Sequence, residues 1–160
     1  MTIPAGLYAL CEKRRRRRYT AIGAAEERLR EARQAAESAK TAPPDPNGGS
    51  HGAGRGDGLE RAAIRVVEAE EQLRQALAWD DVFTRMDRIY PAGCLEDTVS
   101  RMLYDKGFNQ ATVGEALGLH RITVRRYQDR YVINLALLAV QEGLARMEEG
   151  KHESLERNRP

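Results

Sequence analysis

Apolar residues in the N-terminal quarter of the chain recur at three- and four-residue spacing: Ile22, Ala25, Leu29, Ala32, Ala36 and Ala39, with Glu, Arg and Gln between them. That rhythm is a helix with one narrow, Ala-rich seam, and it predicts a single long basic helix over residues 1–41. A second seam, Ala62, Val66, Ala69, Leu73, Ala76 and Phe83, runs on to Tyr90 and predicts a helix over 59–90, ended where Pro91 and Gly93 follow. Between the seams, "TAPPDPNGGSHGAGRGDG" holds three prolines, six glycines and no large apolar residue. Nothing in it can be buried, so residues 42–58 are expected to be a disordered linker. Neither seam is wide enough to stabilise a lone helix, so the two are expected to pair as an antiparallel hairpin, with pairing across a dimer as the alternative.

Past Gly93 the pattern shortens. Leu95, Val99, Met102 and Leu103 put an apolar face on a short helix ending at Lys106 and Gly107. Asn109 then suits a helix N-cap, with Val113, Ala116 and Leu117 on one face of the helix it begins. Gly118 follows, where a sharp turn needs a left-handed residue, and Leu119 is placed to plug the angle between two helices. From His120 a second helix sets Val124, Tyr127, Gln128 and Tyr131 to one side, and Ile122, Arg125, Arg126 and Asp129 to the other, at about 100° per residue. The stretch from Tyr131 to Val140 is apolar nearly all round, which demands burial, either within its own domain or against another copy. Leu144 and Met147 continue one face, and residues 151–160 read as a polar tail. The expected fold class is all-α: a long, coiled-coil-like antiparallel hairpin followed by a small C-terminal helix-turn-helix domain over 94–150.

Composition supports long solvated helices over a large core, with 31% charged, 41% hydrophobic and 6% aromatic residues. The net charge of +2 says little about partners, but its distribution says more. Residues 1–41 carry ten Lys or Arg against five acids, 59–90 carry five against seven, and 94–135 carry six against five. Lys13 to Arg18, "KRRRRR", has two readings: a phosphate clamp, or a plain solvated run, since five consecutive arginines spread around a helix. Cys11 and Cys94 show no metal-ligand or disulfide spacing, and His51 and His152 have no partner that would make them ligands or bases. No hydrolase, phosphate-loop or metalloprotease motif occurs, so neither an enzyme nor a cofactor is expected. The basic residues follow the short apolar stretch "GLYAL", the reverse of secretory signal order, and no apolar run approaches membrane-spanning length; a soluble cytoplasmic protein is expected.

The outward face around Gly118 carries the functional signal. Arginine donates two parallel hydrogen bonds that match guanine O6 and N7, and equally phosphate, so Arg121, Arg125, Arg126 and Arg130 are candidate contacts to double-stranded DNA. Ile122 and Thr123 are placed for thymine methyl groups, Gln110 for a phosphate at the start of the first helix, and His120 for a cap or a phosphate neighbour.

The residues "GFNQATVGEALGLHRITVRRY" resemble the C-terminal DNA-binding region, region four, of bacterial sigma factors and related response-regulator domains. Gly107, Phe108, Val113, Leu117, Gly118, Thr123 and Val124 fall on that pattern, while Gly114 stands where the family has alanine and His120 where it has Ser or Thr. The wider layout is similar to small phage and prophage late-gene activators. That resemblance implies a non-enzymatic transcription regulator that assembles as a homo-oligomer, a dimer by preference, or meets a partner such as RNA polymerase through its hairpin. Two other readings compete: a DNA-packaging adaptor resembling a phage small terminase subunit, which would form a ring, and a helical scaffold that binds only protein.

Overall fold

A computed structural model of the chain describes residues 1–41 and 55–147, and among them all regular structure is helical. The helices are α1 (Ala5–Arg16), α2 (Ala21–Thr41), α3 (Arg55–Ile89), α4 (Leu95–Ser100, continuing as a π-helical turn Arg101–Asp105), α5 (Gln110–Leu117) and α6 (Arg121–Gln141). Residues divide into two compact units, one of Thr20–Leu77 and the other of Met1–Tyr19 with the chain from Ala78 onward. No helix among the described residues is long and apolar enough to cross a membrane.

The expected single helix over 1–41 is broken. Residues 17–20 form turns between α1 and α2, with Arg17 and Arg18 donating backbone N–H bonds to the carbonyls of Arg14 and Arg15. The break has a tertiary cause: α1 belongs to the compact unit of the C-terminal helices, and α2 to the other. Local propensity gave no warning, because arginine is a good helix former. The linker expected over 42–58 does not reach Gly58. Helix α3 already includes Gly56 and Gly58, and residues 42–54 lie outside the described residues.

In the unit of Thr20–Leu77, the two seams are the buried lines. Ala25 and Leu29 of α2 are buried, as are Ala62, Ala69 and Ala76 of α3, and the remaining seam residues are partly covered. Arg28 donates to Gln72 (3.3 Å) and Arg33 pairs with Glu70 (3.6 Å), so partner numbers fall as α2 numbers rise, the register of antiparallel helices. Alanine seams let helix backbones come close but bury little area per residue. At roughly 25 cal/mol per Å² such a pair contributes less than a Leu-rich one.

The other unit holds the larger core. Leu7 and Cys11 of α1, Trp79, Val82, Phe83 and Met86 of α3, Val99, Met102 and Leu103 around α4, Val113 of α5, and Val124, Val132 and Leu135 of α6 are all buried in one cluster. Helix α6 is continuous through the apolar stretch, and Tyr131, Val132, Leu135, Ala136 and Ala139 are buried within this unit. Of the two destinations open to that stretch, its own domain takes most of it. Helix α6 stops at Gln141 and Met147 is exposed, so the helical face expected to continue beyond Val140 ends early. Leu95 is 39% exposed, contrary to its expected place on the inner face, because α4 starts there and Cys94 caps it.

Candidate nucleic-acid interface

Helices α5 and α6 meet at Gly118, which takes the left-handed conformation, φ 67° and ψ 31°. Leu119 follows, partly buried against the core, and its N–H donates to the carbonyl of Gly114 (2.8 Å). Asn109 caps α5 by accepting from the Thr112 N–H (2.8 Å). His120 caps α6: its Nδ1 accepts from the Ile122 N–H (3.3 Å), as a Ser or Thr oxygen does at other helix starts.

Alanine would be favoured at Gly114 by helix propensity, but a Cβ there would lie 2.6 Å from the carbonyl oxygen of Leu119. The glycine lets the two helices close on each other, so its lower propensity is offset by the tight turn. Of the three residues expected on the inner face of α5, Val113 and Leu117 pack against the core, while Ala116 is exposed.

The first turns of α6 are two-sided. Val124, Gln128 and Tyr131 are buried on one side. On the other, Ile122 is 59% exposed and the Arg125 side chain 71%, with Arg126 also exposed. Arg125 has one distant ion pair, with Asp129 at 3.9 Å, and Arg126 has none among the described residues. Thr123 is half-buried at the edge of this face. Arg130 sits farther along, exposed, with its guanidinium 5.7 Å from the Tyr127 ring centre and 3.6 Å from Glu96.

Two of the expected contact residues, Gln110 and Arg121, are hydrogen-bonded to each other. Gln110 donates from Nε2 to Gln128 Oε1 (2.7 Å), and its Oε1 accepts from Arg121 Nε (3.3 Å). Gln128 in turn donates to Glu12 Oε1 and to the Tyr104 hydroxyl, both at 3.0 Å, while Tyr104 donates to the same Glu12 oxygen (2.9 Å). Burial, with the charge of Glu12, pushes the Tyr104 hydroxyl well above its ordinary pKa, so it stays protonated as the donor. A chain of hydrogen bonds therefore runs from α1 through α6 and α5 to Arg121. Gln110 is a positioning residue in it, and Arg121 is an exposed cation held at Nε of its guanidinium, with both Nη groups turned to no partner in this chain of bonds.

What the periodicity did not reveal is the part played by α1. Tyr8 donates to Asp129 Oδ1 (2.8 Å), tying the N-terminal helix to the outer flank of α6. Within the basic run, Arg15 is 2% exposed and Arg18 pairs with Asp87, while the guanidinium of Arg14 lies 5.4 Å from the Trp79 ring centre. The hydrogen-bond partners of Arg15 and Arg18, among them Asp105, Tyr131 and Asp87, lie about seventy to over one hundred positions away, beyond the reach of any local pattern. Comparison with protein-family models, curated proteins and solved structures finds no match to this chain.

Proposed function

We propose that the chain is a sequence-specific, double-stranded-DNA-binding regulator of transcription, with α5, Gly118 and α6 acting as a helix-turn-helix. One observation carries this: Ile122, Arg125 and Arg126 stand exposed along one side of the first turns of α6, while the opposite side is buried and fixes the helix in place. A helix with its side chains is about 10–12 Å across and the major groove about 12 Å wide, so a helix presented in this way fits. Arg125 and Arg126 would take guanine edges or phosphates, and Ile122 thymine methyl groups. Arg121 and Arg130, each steadied by a protein partner, suit phosphates, and His120 serves α6 as its cap.

The α2–α3 pair is the assembly or partner-binding element in this proposal, with a second copy or RNA polymerase as its target. Assembly has a physical motive. Residues 94–135 carry six cations against five acids, so one domain would bind weakly, whereas two linked domains gain from effective concentration. Selection of bound fragments from a random duplex library tests the proposal. An enriched motif repeated at one helical turn or a multiple supports a dimeric regulator; recovery of unenriched sequence counts against it. Native mass of the free protein adds a second check, since a closed ring would favour packaging over regulation.

A further inference from the structure

A cleft of about 940 Å³ lies between α1 and the start of α5 and α6, and its walls carry Arg16 from α1 and Arg121 and Arg125 from α6. Ala5, Ala9 and Arg16 line it from α1, and the two alanines end at Cβ, which leaves room for a bulky occupant. Arg16 is exposed, with its guanidinium 5.5 Å from the Tyr104 ring centre. Two carboxylates also face the cleft, and both already accept hydrogen bonds: Glu12 from Tyr104 and Gln128, Asp129 from Tyr8. Among the described residues, by contrast, the three guanidiniums have no ion pair closer than the 3.9 Å contact of Arg125. Each wall of the cleft thus offers an arginine, three in all against two carboxylates that are already hydrogen-bonded, and Arg125 belongs both to the cleft and to the exposed α6 face.

Building on the DNA-binding reading above, we propose that this cleft holds one sugar–phosphate strand of the duplex contacted by α6, with Arg16 on phosphate across from Arg121 and Arg125. Helix α1 is then an accessory DNA-binding helix. Arginine forks match phosphate oxygens in pairs, and a strand lying against Arg125 would run on past the other two cations. The N-terminal basic run divides accordingly: Arg15 and Arg18 build the fold, and Arg16 meets the ligand. An acidic peptide is the competing occupant; the strand is preferred because Arg125 is shared by the cleft and by the exposed face of α6.

The test is the full-length protein with Arg16→Gln, which keeps the apolar stem and a planar amide beside Tyr104, and with Arg16→Lys, which keeps the charge. Affinity for a selected duplex and for random duplex is followed across salt concentration, with thermal melting as the check on folding. For Arg16→Gln the slope of log affinity against log salt should be shallower by about 1, with specific and random binding weakened by the same factor, roughly three- to tenfold. Arg16→Lys should retain most of the wild-type slope. An unchanged slope in a folded Arg16→Gln protein overturns the proposal and leaves the α6 reading standing. Absence of duplex binding by the wild type at any salt overturns both. Arg16-dependent binding of a polyglutamate peptide in the absence of duplex binding gives the cleft to a protein partner, again overturning the proposal.

Discussion

Arg15 and Asp105, 90 residues apart in sequence, are joined by two parallel hydrogen bonds, Nη1 to Oδ1 at 2.5 Å and Nη2 to Oδ2 at 3.1 Å. The third nitrogen, Nε, reaches Ser100 Oγ and the Tyr131 hydroxyl, both at 3.2 Å, and the guanidinium lies within 6 Å of the ring centres of Tyr19, Tyr104 and Tyr131. Burial alone would lower the pKa of this guanidinium, but Asp105 and Tyr131 together more than compensate and hold it above its ordinary value. A single arginine of the basic run thus fastens α1 to the turn after α4 and to α6.

Replacing Arg15 by alanine should therefore cost more than a surface arginine does. Removing one partner of a buried pair costs about 3–5 kcal/mol, and partial exposure of Asp105 brings the expectation here down to about 2–3 kcal/mol. Arg15→Met, which refills the space, should cost less. Urea midpoints at pH 7 measure both, and a loss below about 0.5 kcal/mol for Arg15→Ala would be that of an ordinary surface site.

Two glycine-to-alanine substitutions should have opposite signs. A Cβ on Gly114 meets the Leu119 carbonyl at 2.6 Å, so Gly114→Ala should destabilise by about 1–3 kcal/mol as α5 and α6 are pushed apart. At Gly23 in α2 a Cβ meets nothing within 4 Å, and Gly23→Ala should stabilise by up to about 1 kcal/mol. Thermal melting of the two variants decides the matter, and a stabilised Gly114→Ala would remove the close approach as the reason for that glycine.

The Arg18–Asp87 pair should be visible as acid sensitivity. Hydrogen bonding from Arg18 holds the Asp87 carboxyl below the ordinary carboxylate range despite partial burial. A carboxylate with a lowered folded pKa adds stability that is complete above its unfolded pKa of about 4 and lost as pH falls through the folded value. The stability difference between wild type and Asp87→Asn should hence be constant from about pH 5 to 8 and shrink from about pH 5 to 2. Urea titrations at several pH values test this, and a difference unchanged down to pH 2 would contradict it.

Much of the helical layout was legible in the sequence, because seams and caps are local. The seams of α2 and α3, the Asn109 cap, the left-handed Gly118 and the exposed Ile122, Arg125 and Arg126 all follow from spacing within one or two helical turns. Long-range contacts were not legible. Nothing in "KRRRRR" distinguishes buried Arg15 from exposed Arg16, since the distinction is made by Asp105, Ser100 and Tyr131. The break at residues 17–20 was hidden for the same reason: α1 is drawn to the C-terminal helices by Leu7, Cys11 and Arg15, while α2 keeps the seam. Gln110 shows how a site residue can be placed correctly at a helix start and still serve another function, because its partner Gln128 is eighteen positions away.

The central claim is that the exposed side of α6 binds DNA, and salt-dependent affinity of the double variant Arg125→Ala, Arg126→Ala tests it most directly. Both side chains are exposed, so folding should survive. The predicted result is a loss of specific affinity of at least tenfold at 0.15 M salt, roughly 1.4 kcal/mol, with a log affinity–log salt slope shallower by about 2. Wild-type affinity and slope in a folded double variant would contradict it.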